Sequence, residues 1–396
     1  MNLNTKTKAS ITFLLVFSLI LLTFHVPLVS ATEDSWSSKA PMHVARSGLG
    51  VAAVNGKIYA IGGSNASGFA PSIGGHAVLG NRDIGGYLGT NEEYDPETDM
   101  WTFKTSMPTP RIVFATATYQ GKIYCIGGKT SDGYTGVNEV YDPAMDTWET
   151  KTSMLTARGW LTANVVDDKI YLIGGYPNTT LNEVYDPTTL NEVYDPATDT
   201  WTTKTPSSKG TTFVGGCASA VFDNKIIVIG GVSEDQHYNH NQIYDTETDT
   251  WSYGTPPPSG VGGGAAAVTS GVLAPKRIYV ISMPLALNQS APLYSNQVYE
   301  PEKDEWTAAA DLSSRRYNFG VAVINDIIYV IGGHTYDQPG FFAPSAANEQ
   351  YTPIGYIPEF PSWAILPLLV ATTAAITVCR RQLAKKLNRS SKTMER

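Results

Sequence analysis

The sequence predicts an all-β protein: a six-bladed β-propeller, closed by an N-terminal strand and followed by a C-terminal transmembrane helix. The propeller is predicted by two motifs that recur together, an apolar segment that ends in Gly-Gly and a Tyr-Asp pair that precedes a Trp. Successive Trp residues of this pattern are 47, 53, 50 and 55 residues apart, the period expected for a four-stranded blade. The 36 Gly, the 24 Pro and a charged fraction of only 16 % exclude a coiled coil and a helical bundle.

Residues 1–31 have the features of a secretory signal peptide. Lys6 and Lys8 form a basic start, residues 11–24 are apolar, and Val29-Ser30-Ala31 offers small residues for cleavage. The apolar run has 14 residues, which is short for a membrane span. We therefore expect this segment to be removed on export, with a retained N-terminal anchor as the alternative.

Each repeat between residues 32 and 352 contains the parts of a four-stranded sheet in the same order. A segment rich in small residues fits a first strand crowded near a common axis, and a β-branched and aromatic segment fits a buried second strand. The Tyr marks a third strand, and the Trp, seven residues later, marks a fourth. The Gly-Gly motifs are Gly62-Gly63, Gly127-Gly128, Gly174-Gly175, Gly230-Gly231 and Gly332-Gly333, with Ser282-Met283 as a degenerate copy.

The chain ends are predicted to meet in the sixth blade. No Trp follows Tyr351 at the usual distance, whereas Trp36 precedes the first repeat. The strand around Trp36 would therefore supply the fourth strand of the last blade. Such a closure protects strands that would otherwise be left at an open edge.

The third repeat contains an internal duplication. Residues 180–188 are nearly repeated by residues 189–197. Tyr194 of the second copy lies seven residues before Trp201, so we expect the second copy to pair in register and the first to lie in the preceding loop. Exchange between the two registers stays open as an alternative.

The Gly-Gly, Tyr-Asp and Trp motifs resemble the kelch repeat, and the resemblance covers residues 35–352. It implies a β-propeller on which the second-to-third-strand loops and the connections between blades emerge on one face, where kelch domains commonly bind partners. We accordingly expect a binding module for a protein or a glycan. Two alternatives stay open: an enzyme on acidic sugars that resembles the kelch-type sialate epimerases, and a structural protein of the cell envelope.

The C-terminal region is predicted to anchor the protein. Residues 353–362 form a stalk that contains Pro358-Glu359-Phe360-Pro361, residues 363–379 are an uncharged transmembrane helix, and residues 380–396 are a basic cytoplasmic tail. Together they resemble the PEF-type sorting signals of archaeal surface proteins, which implies processing by an archaeosortase. An ordinary single-span anchor is the alternative. Either arrangement places the exported domain on the outer face of the cell membrane.

Four arginines occupy one position of the repeat, 16 residues before the Gly-Gly motif. We expect them to ring the channel mouth and to bind a carboxylate or phosphate group; alternatively, each pairs with an acid or a carbonyl of its own blade. His334 and Tyr336, in the long loop of the sixth repeat, are further candidate ligand contacts. The four arginines are Arg46, Arg111, Arg158 and Arg316.

The sequence indicates no metal, cofactor or catalytic constellation. His237 and His240 have the spacing of metal ligands, but no acid or Cys partner is fixed beside them, and we expect them to be solvated loop residues. Cys125 and Cys217 fall in strand patterns, where we expect them to be buried. A net charge of −8 disfavours a nucleic acid as partner. Candidate glycosylation sites, each beginning an Asn-x-Ser/Thr sequon, are Asn65, Asn178 and Asn288.

Overall fold

The computed structural model describes residues 32–69, 72–73, 76–77, 86–177, 190–207, 216–231, 239–282, 295–338 and 341–357. Within these ranges the chain consists of β-strands and loops without an α-helix, which confirms the all-β class. Residues 33–357 belong to one compact unit. In the part of the chain described, no helix has the length and hydrophobicity that a membrane span requires.

Several predicted segments lie outside the described residues. They are the signal peptide (1–31), the sorting motif Pro358-Glu359-Phe360-Pro361, the transmembrane helix (363–379) and the basic tail (380–396). The first copy of the duplicated segment (180–188) also lies outside them. These five assignments stay predictions.

The strands follow one another in repeating groups. The first repeat contains β1 (Ser35–Lys39), β2 (Gly50–Val54), β3 (Lys57–Ile61), β4 (Gly68–Phe69), β5 (Ser72–Ile73), β6 (His76–Ala77), β7 (Asn91–Asp95) and β8 (Met100–Lys104). The second contains β9 (Ala115–Tyr119), β10 (Lys122–Ile126), β11 (Lys129–Thr130), β12 (Gly133–Tyr134), β13 (Asn138–Asp142) and β14 (Thr147–Lys151). The third contains β15 (Arg158–Gly159), β16 (Thr162–Val166), β17 (Lys169–Ile173), β18 (Tyr176–Pro177), β19 (Asn191–Asp195) and β20 (Thr200–Thr203).

The last three repeats follow the same plan. The fourth contains β21 (Ala218–Phe222), β22 (Lys225–Ile229), β23 (Asn241–Asp245) and β24 (Thr250–Tyr253). The fifth contains β25 (Ala265–Val268), β26 (Ile278–Ile281), β27 (Asn296–Glu300) and β28 (Glu305–Ala308). The sixth contains β29 (Arg316–Tyr317), β30 (Gly320–Ile324), β31 (Ile327–Ile331), β32 (His334–Gln338), β33 (Phe341–Pro344) and β34 (Asn348–Thr352).

Each repeat builds one antiparallel four-stranded sheet, and we number these sheets 1 to 6 in chain order. Sheets 1 to 5 are β2-β3-β7-β8, β9-β10-β13-β14, β16-β17-β19-β20, β21-β22-β23-β24 and β25-β26-β27-β28. Sheet 6 is β30-β31-β34-β1, so the most N-terminal described strand lies beside the last one. The first strands of the sheets contact one another in the order β2, β9, β16, β21, β25, β30 and again β2.

The hydrophobic core lies between neighbouring sheets. In the cluster between sheets 1 and 2, for example, Val54 and Ile61 pack with Ile123 and Tyr141. The small residues of the first strands allow this close approach, and the β-branched second strands fill the space between sheets. Cys125 and Cys217 are buried and free in these clusters, and burial raises the pKa of each thiol to about 12.

The recurring Tyr and Trp are partners across the third and fourth strands. In sheet 2, Tyr141 lies directly opposite Trp148 and their ring centroids are 5.0 Å apart. They are seven residues apart in the sequence because a short hairpin joins the two strands that carry them. The same pairing joins Tyr94 to Trp101, Tyr194 to Trp201, Tyr244 to Trp251, Tyr299 to Trp306 and Tyr351 to Trp36.

One residue just after the outer strand of each sheet is held at its N–H and its carbonyl by an Asp and a Trp of the next sheet, and a Tyr of that sheet bonds the Asp; we call this arrangement the clasp. Tyr141 donates its hydroxyl to Asp146 over 2.6 Å, and the same carboxylate oxygen accepts the N–H of Thr105 over 2.9 Å. The carbonyl of Thr105 accepts the indole N–H of Trp148 over 2.8 Å. Sheet 2 therefore grips both polar groups of one residue of sheet 1.

The clasp is present in every repeat, with the same atoms. In sheet 6 the carboxylate and the indole come from the N-terminal segment, because Asp34 and Trp36 bind Ala310. In sheet 1 the hydrogen bond from Tyr94 lowers the pKa of Asp99. The Tyr, Asp, Trp and gripped residues are 94, 99, 101 and 40; 141, 146, 148 and 105; 194, 199, 201 and 152; 244, 249, 251 and 205; 299, 304, 306 and 255; and 351, 34, 36 and 310.

The duplicated segment of the third repeat enters the sheet through its second copy. β19 is Asn191–Asp195, and Tyr194 lies opposite Ile170 of the second strand. Tyr194 also forms the clasp of sheet 3 with Asp199. The predicted register of the second copy is therefore confirmed.

Asp34 should be as important for stability as its counterparts inside the chain. Asp34→Ala and Asp146→Ala each remove the acceptor of one hydroxyl and one backbone N–H. Because each change leaves the hydroxyl of a buried Tyr without its acceptor, at a cost of about 1–3 kcal/mol, we expect urea unfolding to show a loss of this size for both variants. Glu97→Ala, at an exposed turn residue, is the control and should have little effect. A loss for Asp146→Ala alone would show that the two clasps are not equivalent.

Candidate functional site

The second-to-third-strand loops and the connections between repeats meet at one end of the sheets, which we call the diglycine face. The second Gly of a motif donates its N–H to the carbonyl of the Arg position in the following repeat. Gly63 binds Arg111 over 3.0 Å, Gly128 binds Arg158 over 2.8 Å, and Gly333 of the last repeat binds Arg46 over 2.9 Å. The Gly-Gly motif is thus the joint between neighbouring repeats on this face.

Glycine is required at this joint for two reasons. Gly128 has a φ of 104°, which side chains rarely adopt. A Cβ atom on Gly128 would also lie only 2.7 Å from the carbonyl oxygen of Ile112. The diglycine motif therefore reflects the close approach of two chain segments and is not itself a ligand site.

The four arginines lie beneath this face and are completely buried. In sheet 3, Arg158 donates to the carbonyls of Thr156, Leu172 and Gly174 and lies 3.0 Å from a carboxylate oxygen of Glu192. Burial lowers the pKa of Arg158, whereas Glu192 raises it. The other pairs are Arg46 with Glu92, Arg111 with Glu139 and Arg316 with Glu349.

The expected ring of accessible guanidinium groups at the channel mouth is therefore absent. Each of the four arginines instead pairs with an acid and with carbonyls of its own sheet, as the alternative interpretation proposed. The physical reason is that several backbone carbonyls converge there, and a guanidinium with five N–H groups bonds them together. No surface of these side chains is left for a ligand.

A second signal in the sequence accompanies these pairs. The residue that carries the carboxylate is the second residue of the third strand. It is Glu in sheets 1, 2, 3 and 6, which have the Arg, and Gln in sheets 4 and 5, which lack it. In sheet 5, Gln297 accepts the N–H of Ser259 over 2.8 Å and donates to its carbonyl. The two positions thus change together: Glu occurs with the Arg, and Gln occurs where the Arg is missing. Sequence reasoning missed this regularity.

Above the arginines, six residues form a closed cycle of backbone hydrogen bonds, which we call the mouth ring. Each member donates its N–H to the carbonyl of the member from the preceding sheet, over 2.8–3.1 Å. Every member has a positive φ, from 49° to 68°. The ring contains one residue from the start of each repeat: Gly48, Val113, Trp160, Gly216, Gly263 and Asn318.

Two ring positions are strained. Val113 and Trp160 have φ values of 49° and 62°, a region that β-branched and bulky residues rarely adopt. Such residues cost of order 1–3 kcal/mol each and cluster at functional sites. Because glycine at three of the six positions avoids this cost, the strain at Trp160 calls for a functional reason.

Trp160 belongs to a group of aromatic side chains beside the ring, the aromatic patch, which consists of Tyr134, Trp160 and Tyr176. All three are half-buried. The rings of Tyr134 and Tyr176 are 5.6 Å apart, and the Nζ of Lys129 lies 5.9 Å from the ring centroid of Tyr134. Burial raises the pKa of Tyr134 to about 12, with the side chain of Trp160 acting in the opposite direction. The patch combines apolar area with polar tips and one cation.

The packing of the patch depends on small neighbours. A Cβ on Gly159 would lie 3.0 Å from the ring of Tyr134, and one on Gly216 would lie 3.6 Å from the indole of Trp160. Gly159 pairs with Tyr176 between two short strands, which positions both rings. Sequence reasoning missed this site, although Trp160 is the one Trp between residues 37 and 352 that falls outside the Tyr-to-Trp step.

His334 lies inside the diglycine face and not on its surface. Its side chain is buried, its Nε2 lies 2.9 Å from the hydroxyl of Ser47, and its ring lies 5.3 Å from that of Tyr317. Burial lowers the pKa of His334 to about 4. His334 is therefore a neutral packing residue here, which corrects its expected role as a ligand contact.

Tyr336 lies in a small sheet that joins the last repeat to the first. Its order is β29-β32-β33-β4, and Phe341 and Phe342 of the sixth repeat pair with the Gly68–Phe69 strand of the first. The long loops of these two repeats thus share one sheet on the diglycine face. Ligand contact by Tyr336 stays a prediction.

The remaining candidates are placed only in part. Asn65 is exposed, whereas Asn178, Asn288 and His237 lie outside the described residues. His240 is half-buried. Among the described residues, no three His, Cys, Asp or Glu side chains come together as a metal site.

Comparison with known proteins bears on this repeat. The model of the Kelch motif matches residues 45–108, 111–155, 161–208, 215–258 and 315–339, which is more than half of the chain. The chain belongs to the kelch-repeat family. The resemblance drawn from the Gly-Gly, Tyr-Asp and Trp motifs is therefore confirmed.

Curated kelch proteins match only part of the chain. The Influenza virus NS1A-binding protein homolog of Xenopus laevis is 40 % identical over 108 residues, covering 27 % of this chain and 14 % of that protein. An F-box/kelch-repeat protein of Arabidopsis thaliana is 36 % identical over 96 residues, covering 24 % and 21 %. Alpha-scruin of Limulus polyphemus is 31 % identical over 96 residues, covering 24 % and 9 %. This chain thus spans less than a quarter of the length of these relatives.

The kelch fold also has a solved counterpart. The structure of YjhT is similar with a TM-score of 0.58 and 16 % identity, covering 78 % of this chain and 96 % of that chain. At this identity the similarity concerns the fold alone. It extends over most of both chains, in contrast to the partial matches of the curated relatives.

Breaking one buried kelch ion pair should be costly, and replacing both partners should not. Arg158→Ala leaves Glu192 charged and buried, so we expect a loss of about 3–5 kcal/mol in the free energy of unfolding. The double variant Arg158→Val, Glu192→Gln reproduces the Val261 and Gln297 combination of sheet 5 and should recover much of this loss. Chemical unfolding measures both. A double variant as unstable as Arg158→Ala would contradict the role of charge matching.

His334 should make the domain sensitive to mild acid. The unfolded His334 has a pKa near 6.5 and the folded one a pKa of about 4, so the unfolded state binds more protons between these values. Stability should fall as the pH drops through this window, by about 2 kcal/mol between pH 7.5 and pH 5. His334→Gln should remove this part of the pH dependence. Equal pH profiles of both proteins in urea unfolding would contradict the assignment.

Proposed function

We propose that this kelch protein is a binding module of the cell surface, which recognises a protein partner through the diglycine face. Kelch repeats support interaction with proteins, and one relative is named for binding the viral protein NS1A. The observation that carries the proposal is the aromatic patch beside the strained Trp160. Half-exposed Trp and Tyr with a neighbouring Lys have the composition of an interaction hot spot.

The patch suits a partner with an apolar or aromatic side chain. Trp160 is the largest side chain of the mouth ring, and its neighbour in the following sheet is Gly216, which has no side chain to cover the indole. Tyr134 and Tyr176 add rigid surface with few rotatable bonds. Stacking on a sugar ring would use the same side chains, so a glycan is the second ligand class for the test.

The competing functions have less support. An enzyme on acidic sugars was expected to need accessible arginines with a His or Glu at the mouth, and the four arginines are buried in pairs. A purely structural role in the cell envelope gives no reason for the strain at Trp160. Binding without catalysis accounts for both observations.

We further propose that the six sheets are the blades of a closed six-bladed propeller. This is supported by the pairing of β1 with β34, by the cyclic contacts of the first strands, and by the mouth ring, which returns from Asn318 to Gly48. The clasp between Asp34 and Ala310 further supports it. A propeller of this kind presents all its diglycine loops on one side.

Export and anchoring complete the proposal. They are supported by the signal-like residues 1–31, the apolar residues 363–379 and the basic residues 380–396, with the Pro-Glu-Phe motif as a possible point of archaeosortase processing. The domain would then be held on the outer face of the cell membrane. Flotation of the full chain with vesicles tests this part separately from ligand binding.

Trp160→Ala should abolish most binding without unfolding the domain. The test begins with a screen of the domain, residues 32–357, against cell-surface proteins and a glycan array. Because hot-spot truncations cost 2 kcal/mol or more, we expect Trp160→Ala to weaken the best hit by about 30-fold or more. Tyr253→Ala, at an aromatic residue 43 % exposed on the outer strand of sheet 4, is the matched control and should bind normally.

The outcome separates the functions. A protein hit lost in Trp160→Ala supports the proposal, and a glycan hit lost in the same way replaces the protein partner by a sugar. Binding that survives Trp160→Ala and is lost in Tyr253→Ala would place the site on the outer strands and contradict the proposal. Thermal unfolding of both variants verifies that they are folded.

A further inference from the structure

Both ends of the described chain leave the domain at the same corner. Residues 353–357, which the sequence assigned to the stalk, lie against the folded unit. The N–H of Gly355 binds the carboxylate of Glu33 over 2.8 Å, and the N–H of Ile357 binds the carbonyl of Leu273 over 2.7 Å. Ile354 packs against the core cluster of sheets 5 and 6. The described part of the domain therefore includes residues 353–357 as packed chain.

This corner lies at the end of the sheets opposite the diglycine face. β34 begins beside the Gly-Gly motif of its repeat and ends at Thr352, and Thr352 pairs with Ser35 at the start of β1. The first-to-second-strand hairpins lie at this same end, so we call it the hairpin face. Both chain ends thus leave the domain on the side away from the aromatic patch.

The hairpin at this corner differs from all its counterparts. In sheets 1, 2, 3, 4 and 6 the first two strands are joined by two residues, whereas in sheet 5 the loop between Val268 and Ile278 has nine. This loop contains Val272, Leu273, Ala274 and Pro275 in succession. The other hairpins end in polar or Gly residues: Asn55-Gly56, Gln120-Gly121, Asp167-Asp168, Asp223-Asn224 and Asn325-Asp326.

The long hairpin is rigidly held. The buried carboxylate of Asp326, from the neighbouring hairpin of sheet 6, accepts the backbone N–H groups of Ser270, Leu273 and Ala274 and the hydroxyl of Ser270. Thr269 closes the base of the loop through Arg277. A loop fixed by so many bonds presents its tip in a defined position.

What this loop presents is apolar. Val272, at the tip of the loop, is 79 % exposed. Ile357, whose N–H donates to the carbonyl of Leu273 beside it, is 68 % exposed. Among the large apolar residues exposed in the described part of the chain, Val272 ranks first and Ile357 third, after Met145 at 70 %. A rigid apolar tip beside the exit of the chain calls for a partner.

The partner is indicated by the sequence that follows. Only six residue steps separate Ile357 from Trp363, where the apolar segment 363–379 begins. Fully extended, these steps span about 20 Å at ~3.4 Å each. If residues 363–379 enter a bilayer, the corner with Val272 and Ile357 cannot move far from its surface.

We propose that this corner rests on the lipid bilayer, with Val272 and Ile357 in the interfacial region and the diglycine face turned outward. The inference depends on the proposed anchoring of the chain. Two side chains bind a membrane weakly alone, but a short tether keeps their local concentration at the surface high. The corner therefore orients the domain, and the tether supplies the affinity. The aromatic patch then faces partners outside the cell.

Fluorescence tests the orientation in the full chain. Val272→Cys, in a chain with Cys379→Ala, is labelled with NBD and reconstituted in vesicles of phosphatidylcholine with a minor fraction of phosphatidylglycerol. Ser131→Cys, in an exposed turn of the diglycine face, is the matched control. Cys125 and Cys217 are buried and should not react. We expect a blue shift at position 272 in vesicles, and quenching by spin-labelled lipids several-fold stronger than at position 131.

Each outcome has a separate meaning. Flotation with the vesicles, combined with equal and weak quenching at both positions, would overturn the orientation and leave the anchoring intact. Failure to float would overturn the anchoring and this inference with it. A blue shift at position 272 in detergent that grows with protein concentration would assign the corner to a second copy of the chain and would also overturn the inference.

Discussion

The structure depends on one residue per repeat whose backbone N–H and carbonyl are both held by the next sheet. The N–H of Thr105 goes to Asp146 and its carbonyl to Trp148, and Tyr141 orients the carboxylate that receives the N–H. Because both atoms of one residue are used, neighbouring sheets cannot slide relative to one another without losing several bonds together. The constraint also explains why three residue types recur at fixed spacing while much of the surrounding sequence varies.

A second constraint acts at the diglycine face of the same sheets. Where the strands end at the diglycine face, several backbone carbonyls converge on a buried Arg, and a Glu balances its charge. Sheets 4 and 5 solve the same problem with a neutral Gln. The sheets thus contain one of two combinations, Arg with Glu or a neutral Gln without the Arg. The two positions change together because an unmatched charge in the interior is unfavourable.

The repeat made much of the fold predictable. The all-β class, the kelch motif and the Tyr-to-Trp step could be predicted because the same pattern recurs in each repeat. The register of the duplicated strand followed from the spacing of Tyr194 and Trp201. The site was less predictable. A regular position suggested that the arginines share a function, but position along the chain does not reveal depth, and only the structure shows Arg158 enclosed by its own sheet. Trp160 was overlooked because its importance comes from its backbone conformation and its neighbours in space.

The mouth ring carries a consequence for how such a domain diversifies. Its cohesion comes from main-chain atoms alone, so Gly48, Val113, Trp160 and Asn318 occupy equivalent places although their side chains share no chemistry. Each position can therefore hold a different side chain, at the cost of some local backbone strain, while the surrounding backbone hydrogen bonds are kept. If the ring takes part in the proposed binding, single substitutions at these positions would change the binding partner during evolution without any change in the core between the sheets.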